Sequence, residues 1–243
     1  MRTGAGRGVV PSGKADQTAT RLAAMRMSAV FSDLGPETIA GLLRRASFHK
    51  FKRGEYIFRR GDPGTGLFGV VTGSVRMSAS SIDGKSAVLN LIGAGQTFGE
   101  IAVLDGRERT TDAIANVSCE VWRIERRLLM ALLQGQPALA MNFIELLCNR
   151  LRWTSEHLEQ MIQQGLAARL AHMVVRLSER DPQRDGMLVL EISQQSLSEM
   201  VGISRESTNK LMSHWAERNW IRVEHRHLVI LNVGALKRAA KRS

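Results

Sequence analysis

The apolar positions change period several times along the chain. Residues 1 to about 20, MRTGAGRGVVPSGKADQTAT, hold Gly, Ser and Thr without any repeat, the pattern of a flexible basic tail. Leu34, Ile39, Leu42 and Leu43 then fall on one face of a short helix. From Phe48 to about Ile124 the period shortens to that of strands, in the runs EYIFRRGD, GLFGVVTGSVRMSAS, SAVLNLIGAGQTFGE and TDAIANVSCEVWRI. Glycines at 54, 61, 64, 66, 69, 73, 84, 93, 95 and 99 punctuate these runs. Tight turns at that spacing predict a compact all-β barrel or roll.

The helical period returns after Pro137, which sits where a first turn tolerates proline. Over residues 138 to 163, Ile144, Leu147, Leu151, Thr154, Leu158 and Met161 alternate steps of three and four. That is a coiled-coil seam and predicts pairing with a second copy of the helix. Its one polar member, Thr154, either fixes register or marks a place where something polar docks. Beyond Gln164 come a helical stretch (LAARLAHMVVRLSER), a turn (DPQRDG), a strand (MLVLEIS), two short helices and a closing hairpin around IRVEHRHLVILN. This order is the layout of a winged-helix module. The chain therefore divides into a tail (1–20), a β-roll domain (21–136), a dimerisation helix (137–164) and a winged helix-turn-helix domain (165–243), an α+β protein overall.

The second short helix separates cleanly at about 100° per residue. Thr208, Leu211, Met212 and Trp215 share one side; Arg205, Glu206, Asn209, Lys210 and Ser213 share the other. Ser193 and Ser204 are placed to cap the two helices, and Gly202 to turn the chain between them. A helix with donors and an acceptor near its N-terminus can read base edges in the major groove. Charge supports this. Net charge is +11, and residues 165–243 hold 13 Lys and Arg against 8 Asp and Glu, net +5. The closing KRAAKRS adds attraction for phosphates.

Several chemistries are excluded or disfavoured. Cys119 and Cys148 are too few for a disulfide framework or a four-cysteine iron–sulfur cluster, and too far apart for a metal-binding pair. His225 and His227 flank an arginine in the expected wing, and no metal is assigned to them. GTGLFG (64–69) fits a phosphate-loop pattern literally, but the β-branched VVTGSV follows it and no helix opens there. Gly84-Lys85-Ser86 lacks the first glycine of a Walker loop, because Ala79 stands in that place. No nucleophile elbow or metalloprotease helix occurs, so no catalysis is expected. No apolar run reaches the roughly 18 residues of a membrane helix. The N-terminus lacks the apolar segment of a signal peptide, and a cytoplasmic protein is expected.

GEYIFRRGDPGTGLFGVVTGSV (54–75) followed by FGEIAVLDGRERTT resembles the cyclic-nucleotide-binding β-roll. With the long helix and the helix-turn-helix, the chain from about residue 25 resembles the cAMP receptor protein family (Crp/Fnr superfamily) of bacterial transcription regulators. The resemblance implies that Gly99 and Glu100 meet the ribose, that Ile101 belongs to the cyclic-nucleotide site, and that Arg109 pairs with the cyclic phosphate through its planar fork. It implies that Thr110 adds a donor to that phosphate. Thr154 and Ser155 are expected at the purine, one from each subunit. It further implies that Arg205, Glu206 and Lys210 read bases, and that Ser193, Gln195 and Ser204 hold DNA phosphates. Two departures stand out. The span from Glu100 to Arg109 is one residue shorter than in the best-known member, and Lys210 replaces an arginine. The expected ligand is cAMP, or cGMP, since Thr110 follows the phosphate arginine as in many cGMP-binding domains. The expected partners are a second copy, a pseudo-palindromic double-stranded DNA site and RNA polymerase, with no membrane. The competing expectations are a related regulator that needs no nucleotide or senses a cyclic dinucleotide, and a regulatory subunit of an enzyme.

Overall fold

The computed structural model of the protein describes residues 15–80, 86–180, 188–224 and 227–241. Eight short strands build the roll: β1 (Ser47–Phe51), β2 (Tyr56–Phe58), β3 (Gly66–Thr72), β4 (Val75–Ser80), β5 (Ser86–Ile92), β6 (Thr97–Phe98), β7 (Asp112–Ala115) and β8 (Cys119–Glu125). They form two antiparallel four-stranded sheets, ordered β1-β8-β3-β6 and β2-β7-β4-β5. Residues 66–71 of β3 are all buried, because both faces of this strand are covered. Phe58, Phe68 and Phe98 fill the space between the sheets with ring centroids 5.4–5.9 Å apart. GTGLFG thus runs into a strand rather than a helix.

The outer face of the β1-β8-β3-β6 sheet carries a second core. Trp122 of β8 packs there with Phe31, Leu42, Leu129 and Phe143. These come from a short turn at Ala29–Phe31 and from helices α2 (Pro36–Arg45), α4 (Arg126–Gly135) and α5 (Pro137–Gln163), and Met25 of α1 (Ala15–Met27) joins them. The long helix occupies the predicted residues. Its seam stays uncovered within one chain, with Ile144 51%, Leu151 68% and Leu158 59% exposed.

The C-terminal module comprises α6 (Leu166–Arg180), β9 (Leu188–Glu191), α7 (Gln194–Val201), α8 (Arg205–Glu217), the hairpin β10 (Ile221–Glu224) and β11 (His227–Ile230), and α9 (Val233–Ala240). Its sheet is ordered β10-β11-β9. Its core, built on Leu170, Leu197, Met212, Trp215 and Leu236, also takes in Val88 of β5. One edge of the roll is therefore plugged into the C-terminal module.

Two expectations need correction. The tail cannot extend to residue 20, since α1 begins at Ala15. Arg21 pins that helix down by pairing with the buried Glu120 and stacking 4.0 Å over Phe48. Residues 1–14 lie outside the described residues. Second, helices appear where none was predicted: α3 (Glu100–Asp105) lies within the span from Glu100 to Arg109, and α4 precedes Pro137. Of the closing basic segment, Lys237–Ala240 belong to α9. Asn232 caps that helix by accepting from the Ala235 N–H at 2.9 Å, and Lys237 pairs with Glu179. The DPQRDG turn, Gly84, Lys85 and His225 lie outside the described residues.

Candidate functional site

Strand β6 is followed by Gly99, whose φ of 78° is open to glycine at little cost. A Cβ there would also sit 2.7 Å from Nη1 of Arg109, so space and backbone both require glycine. The turn swings the next residue, Glu100, inward at the start of α3, where it is 1% exposed. Arg109 arrives from the far end of the same loop, its N–H donating to the Asp62 carbonyl at 2.8 Å.

Arg109 is 4% exposed. Its Nη1 donates to the Gly99 carbonyl at 2.7 Å and its Nη2 to the Gly66 carbonyl at 2.6 Å. The guanidinium lies 4.3 Å over the Phe58 ring, and Nε has no protein partner. Burial, followed by the Arg123 cation, lowers its pKa to about 10, while Glu100 and Asp62 pull the other way. It stays charged at neutral pH, and an incoming anion would relieve the cost of its burial.

Glu100 is met by a residue the sequence pattern did not single out. Arg150 of α5 pairs through Nη1 with Oε1 of Glu100, and through Nη2 donates to the Thr97 carbonyl at 2.7 Å. The other carboxylate oxygen, Oε2, is buried and has no protein partner. One signal was present in the chain: Arg150 stands one helical turn before Thr154, so both share a face of α5.

These groups converge on a cavity of about 180 Å³. Gly99, Glu100, Ile101, Arg109, Thr110 and Thr154 of the expected set line it, joined by Asn90 of β5 and by Arg150 and Trp153. Thr154 is exposed towards the seam, and its hydroxyl donates to the Arg150 carbonyl at 2.9 Å. Ser155 is exposed and does not reach the cavity of its own chain.

The C-terminal module presents a second, separate surface. On α8, Thr208, Met212 and Trp215 are at most 2% exposed, whereas Arg205, Glu206, Asn209, Lys210 and Ser213 face solvent. Ser204 caps this helix by accepting from the Ser207 N–H at 3.0 Å. Ser193 caps α7 by accepting from the Ser196 N–H at 3.0 Å. Gly202, with φ 68°, turns the chain between the helices. Lys210 pairs with Glu206 at 2.7 Å, and exposed Gln195 donates to Glu199 at 2.7 Å. Among the described residues no His, Cys, Asp and Glu group is arranged to hold a metal, and no helix is long and apolar enough to cross a membrane.

A roll with a carboxylate and a guanidinium across one cavity, joined through a long helix to a winged helix, defines a ligand-responsive DNA-binding regulator. Residues 48–136 match the family model of the cyclic nucleotide-binding domain, and residues 168–239 that of the Crp-like helix-turn-helix domain. The chain is 30% identical to the cyclic AMP receptor protein of Thermus thermophilus, over 82% of this chain and 90% of that one. It is 27% identical to a CRP-like cAMP-activated global transcriptional regulator of Mycobacterium tuberculosis, over 87% and 96%. Among solved structures, FixK2 from Bradyrhizobium japonicum superposes with a TM-score of 0.75 at 20% identity, covering 82% of this chain and 98% of that one. A CRP/FNR-family regulator from Thermus thermophilus does so with a TM-score of 0.66 at 26% identity, over 81% and 99%. The chain belongs to the cAMP receptor protein family of bacterial transcription regulators. It is a DNA-binding regulator with a cyclic-nucleotide-binding domain, not an enzyme.

Proposed function

We propose that the protein is a homodimeric regulator switched by cAMP. The observation that carries this reading is the buried, unpartnered Oε2 of Glu100 in the same cavity as the Arg109 guanidinium. A ribose 2′-hydroxyl donates to the carboxylate, while the cyclic phosphate takes the N–H groups that Arg109 has not given to carbonyls. Thr154 supports adenine over guanine. Its hydroxyl hydrogen is already committed to the Arg150 carbonyl, leaving lone pairs that accept from an amino group. Adenine offers an amino group where guanine offers a carbonyl, which needs a donor. Thr110 remains the argument for cGMP, since it follows the phosphate arginine as in many cGMP-binding domains and lines the same cavity.

The uncovered seam from Ile144 to Met161 supports a second copy, whose Ser155 would complete the base contact. Two modules would then straddle half-sites about 34 Å apart, with Arg205, Glu206 and Lys210 at base edges and Ser193, Gln195 and Ser204 at phosphates. RNA polymerase is the natural further partner of a regulator bound beside a promoter. The mechanism is a population shift: nucleotide binds the DNA-competent arrangement more tightly and so enriches it. Titrating cAMP and cGMP separately against one DNA site tests the reading. cAMP alone should raise DNA affinity; a response to cGMP alone overturns the choice of base, and binding unaffected by either overturns the switch.

A further inference from the structure

The seam is not the only stripe on α5. From Leu151 to Gln163 the helix is exposed everywhere except at Trp153, His157 and Gln160. With Leu146 and Arg150 before them, these residues alternate steps of four and three, as the seam does. At about 100° per residue the two stripes lie roughly 100° apart around the helix. A second copy seated on the Ile144–Met161 seam therefore leaves this second stripe to its own chain.

The stripe changes character along its length. Leu146 packs against the core under Trp122. Beyond it the residues are Arg, Trp, His and Gln, and each reaches a different part of the molecule. Arg150 pairs with Glu100 at the ligand cavity. Trp153, about one turn further on, lines the same cavity, and the Arg176 guanidinium of α6 lies 4.3 Å from the centre of its ring. His157 stacks on Trp153 with centroids 5.3 Å apart and is hydrogen-bonded to the Met200 backbone of α7. Gln160 stands 3.1 Å from His172 of α6. The roll's own hold on the module is of another kind, since Val88 is simply buried in the module's apolar core. Burial of that sort is indifferent to small rotations, whereas stacking and hydrogen bonds are directional and fix an orientation.

We propose that Trp153 is a positioning residue: through its contacts with Arg176 and His157 it makes the seating of the C-terminal module depend on the Glu100–Arg150 pair. This rests on reading the Glu100–Arg109 cavity as the ligand site, although every contact it uses lies within the chain. Loss of the Glu100 charge releases Arg150 from its anchor and loosens α6 and α7 through Trp153. A nucleotide that bonds Glu100 acts on the same first link. By linkage, DNA bound at the far end changes nucleotide affinity by the same factor as nucleotide changes DNA affinity.

Amide exchange in the full-length protein reads this link without any ligand. Glu100→Gln should speed exchange in α6 and α7 by a factor on the order of ten, while β3 and β8 stay protected. In Trp153→Leu or Trp153→Met exchange in α6 and α7 should already be fast, and adding Glu100→Gln should change it less than about twofold. Trp153→Phe keeps a ring face for the Arg176 cation and should restore most of the response. DNA binding supplies the second arm, with cAMP or cGMP held at saturation as checked by calorimetry. The ratio of DNA affinities with and without nucleotide should fall towards one in Trp153→Leu and recover in Trp153→Phe. An undiminished response to Glu100→Gln in Trp153→Leu would overturn the proposal, as would an undiminished DNA-affinity ratio. A wild-type protein that binds neither nucleotide would overturn the reading of the cavity instead, and the exchange measurements would still decide the role of Trp153.

Discussion

The Glu100–Arg109 cavity and helix α8 use the same kinds of residue under opposite conditions. In the cavity, Glu100 and Arg109 are 1% and 4% exposed; Oε1, Nη1 and Nη2 are committed to a counter-charge or a carbonyl, while Oε2 and Nε are buried without a protein partner. On α8, the side chains of Glu206 and Lys210 are 77% and 76% exposed and hold each other in water. The first arrangement is preorganised: its charges were desolvated when the chain folded, and the ligand finds them in place. The second is adaptable, since an exposed i,i+4 pair is worth only about 0.3–0.5 kcal/mol and gives way readily to a base or phosphate. Specificity for a small ligand needs the former. Reading a deformable duplex tolerates the latter.

The sharpest way to break the contrast is at Arg109. Arg109→Leu removes the only guanidinium assigned to the phosphate and leaves a desolvated anion without a charged partner. Nucleotide affinity should fall by about 3 kcal/mol or more, over a hundredfold, as measured by calorimetry. Near-normal affinity would rule the cavity out as the phosphate site.

Arg150→Ala attacks the same cavity from the long helix. It strands the buried Glu100 carboxylate, and breaking such a pair costs about 3–5 kcal/mol when both partners are deep. The Arg150 side chain is 27% exposed, so about 2–3 kcal/mol of folding stability is expected in denaturant unfolding. Adding Glu100→Gln should recover much of that loss, because no charge then remains unpaired. If the double variant is no more stable than Arg150→Ala, the pair does not hold the helix to the roll.

What the sequence made legible follows from how local each signal is. Helix α5 was readable because Pro137 opens it and the seam from Ile144 to Met161 repeats for its whole length. Helices α7 and α8 were readable because Ser193, Gly202 and Ser204 mark their ends, and the buried side of α8 is the predicted one. Helix α3 was missed because it is six residues long and bounded by Gly99 and Gly106 at positive φ, too short for any period to register. Helix α1 was missed because Leu22, Ala23, Ala24, Met25 and Met27 bunch together instead of recurring. Arg150 was missed for another reason: its partner lies 50 residues earlier, so no local pattern reports the pair.

Arg205 tests the exposed side of the comparison. Arg205→Ala should cost about 1–3 kcal/mol on the preferred site and relax preference at one base pair, as read from competition among site variants. A uniform loss across all sequences would instead mark Arg205 as a phosphate contact. Folding stability should barely change, since the side chain packs on nothing buried.

The smallest effect is expected where the two regions join. His157 of α5 stacks on Trp153 with centroids 5.3 Å apart, and is hydrogen-bonded to the Met200 backbone of α7. His172 of α6 lies 3.1 Å from Gln160 of α5. Burial and then Arg176 hold both imidazoles below their ordinary pKa of 6.5, with Arg169 and His172 adding to the effect on His157. Glu156 and Glu179 oppose it at His172. A base whose pKa is depressed in the folded state is neutral there while the unfolded or undocked state takes up a proton. Stability is therefore lost as pH falls from about 6.5 through the lowered values, and is unaffected above. Acidification should loosen the C-terminal module from α5, seen as faster amide exchange in α6 and α7 near pH 5 than near pH 7. His157→Gln together with His172→Gln should flatten that dependence while leaving cyclic-nucleotide affinity intact. A pH dependence that survives both substitutions would place the titrating groups elsewhere, with the exposed carboxylates of α8 and α5 as the next to test.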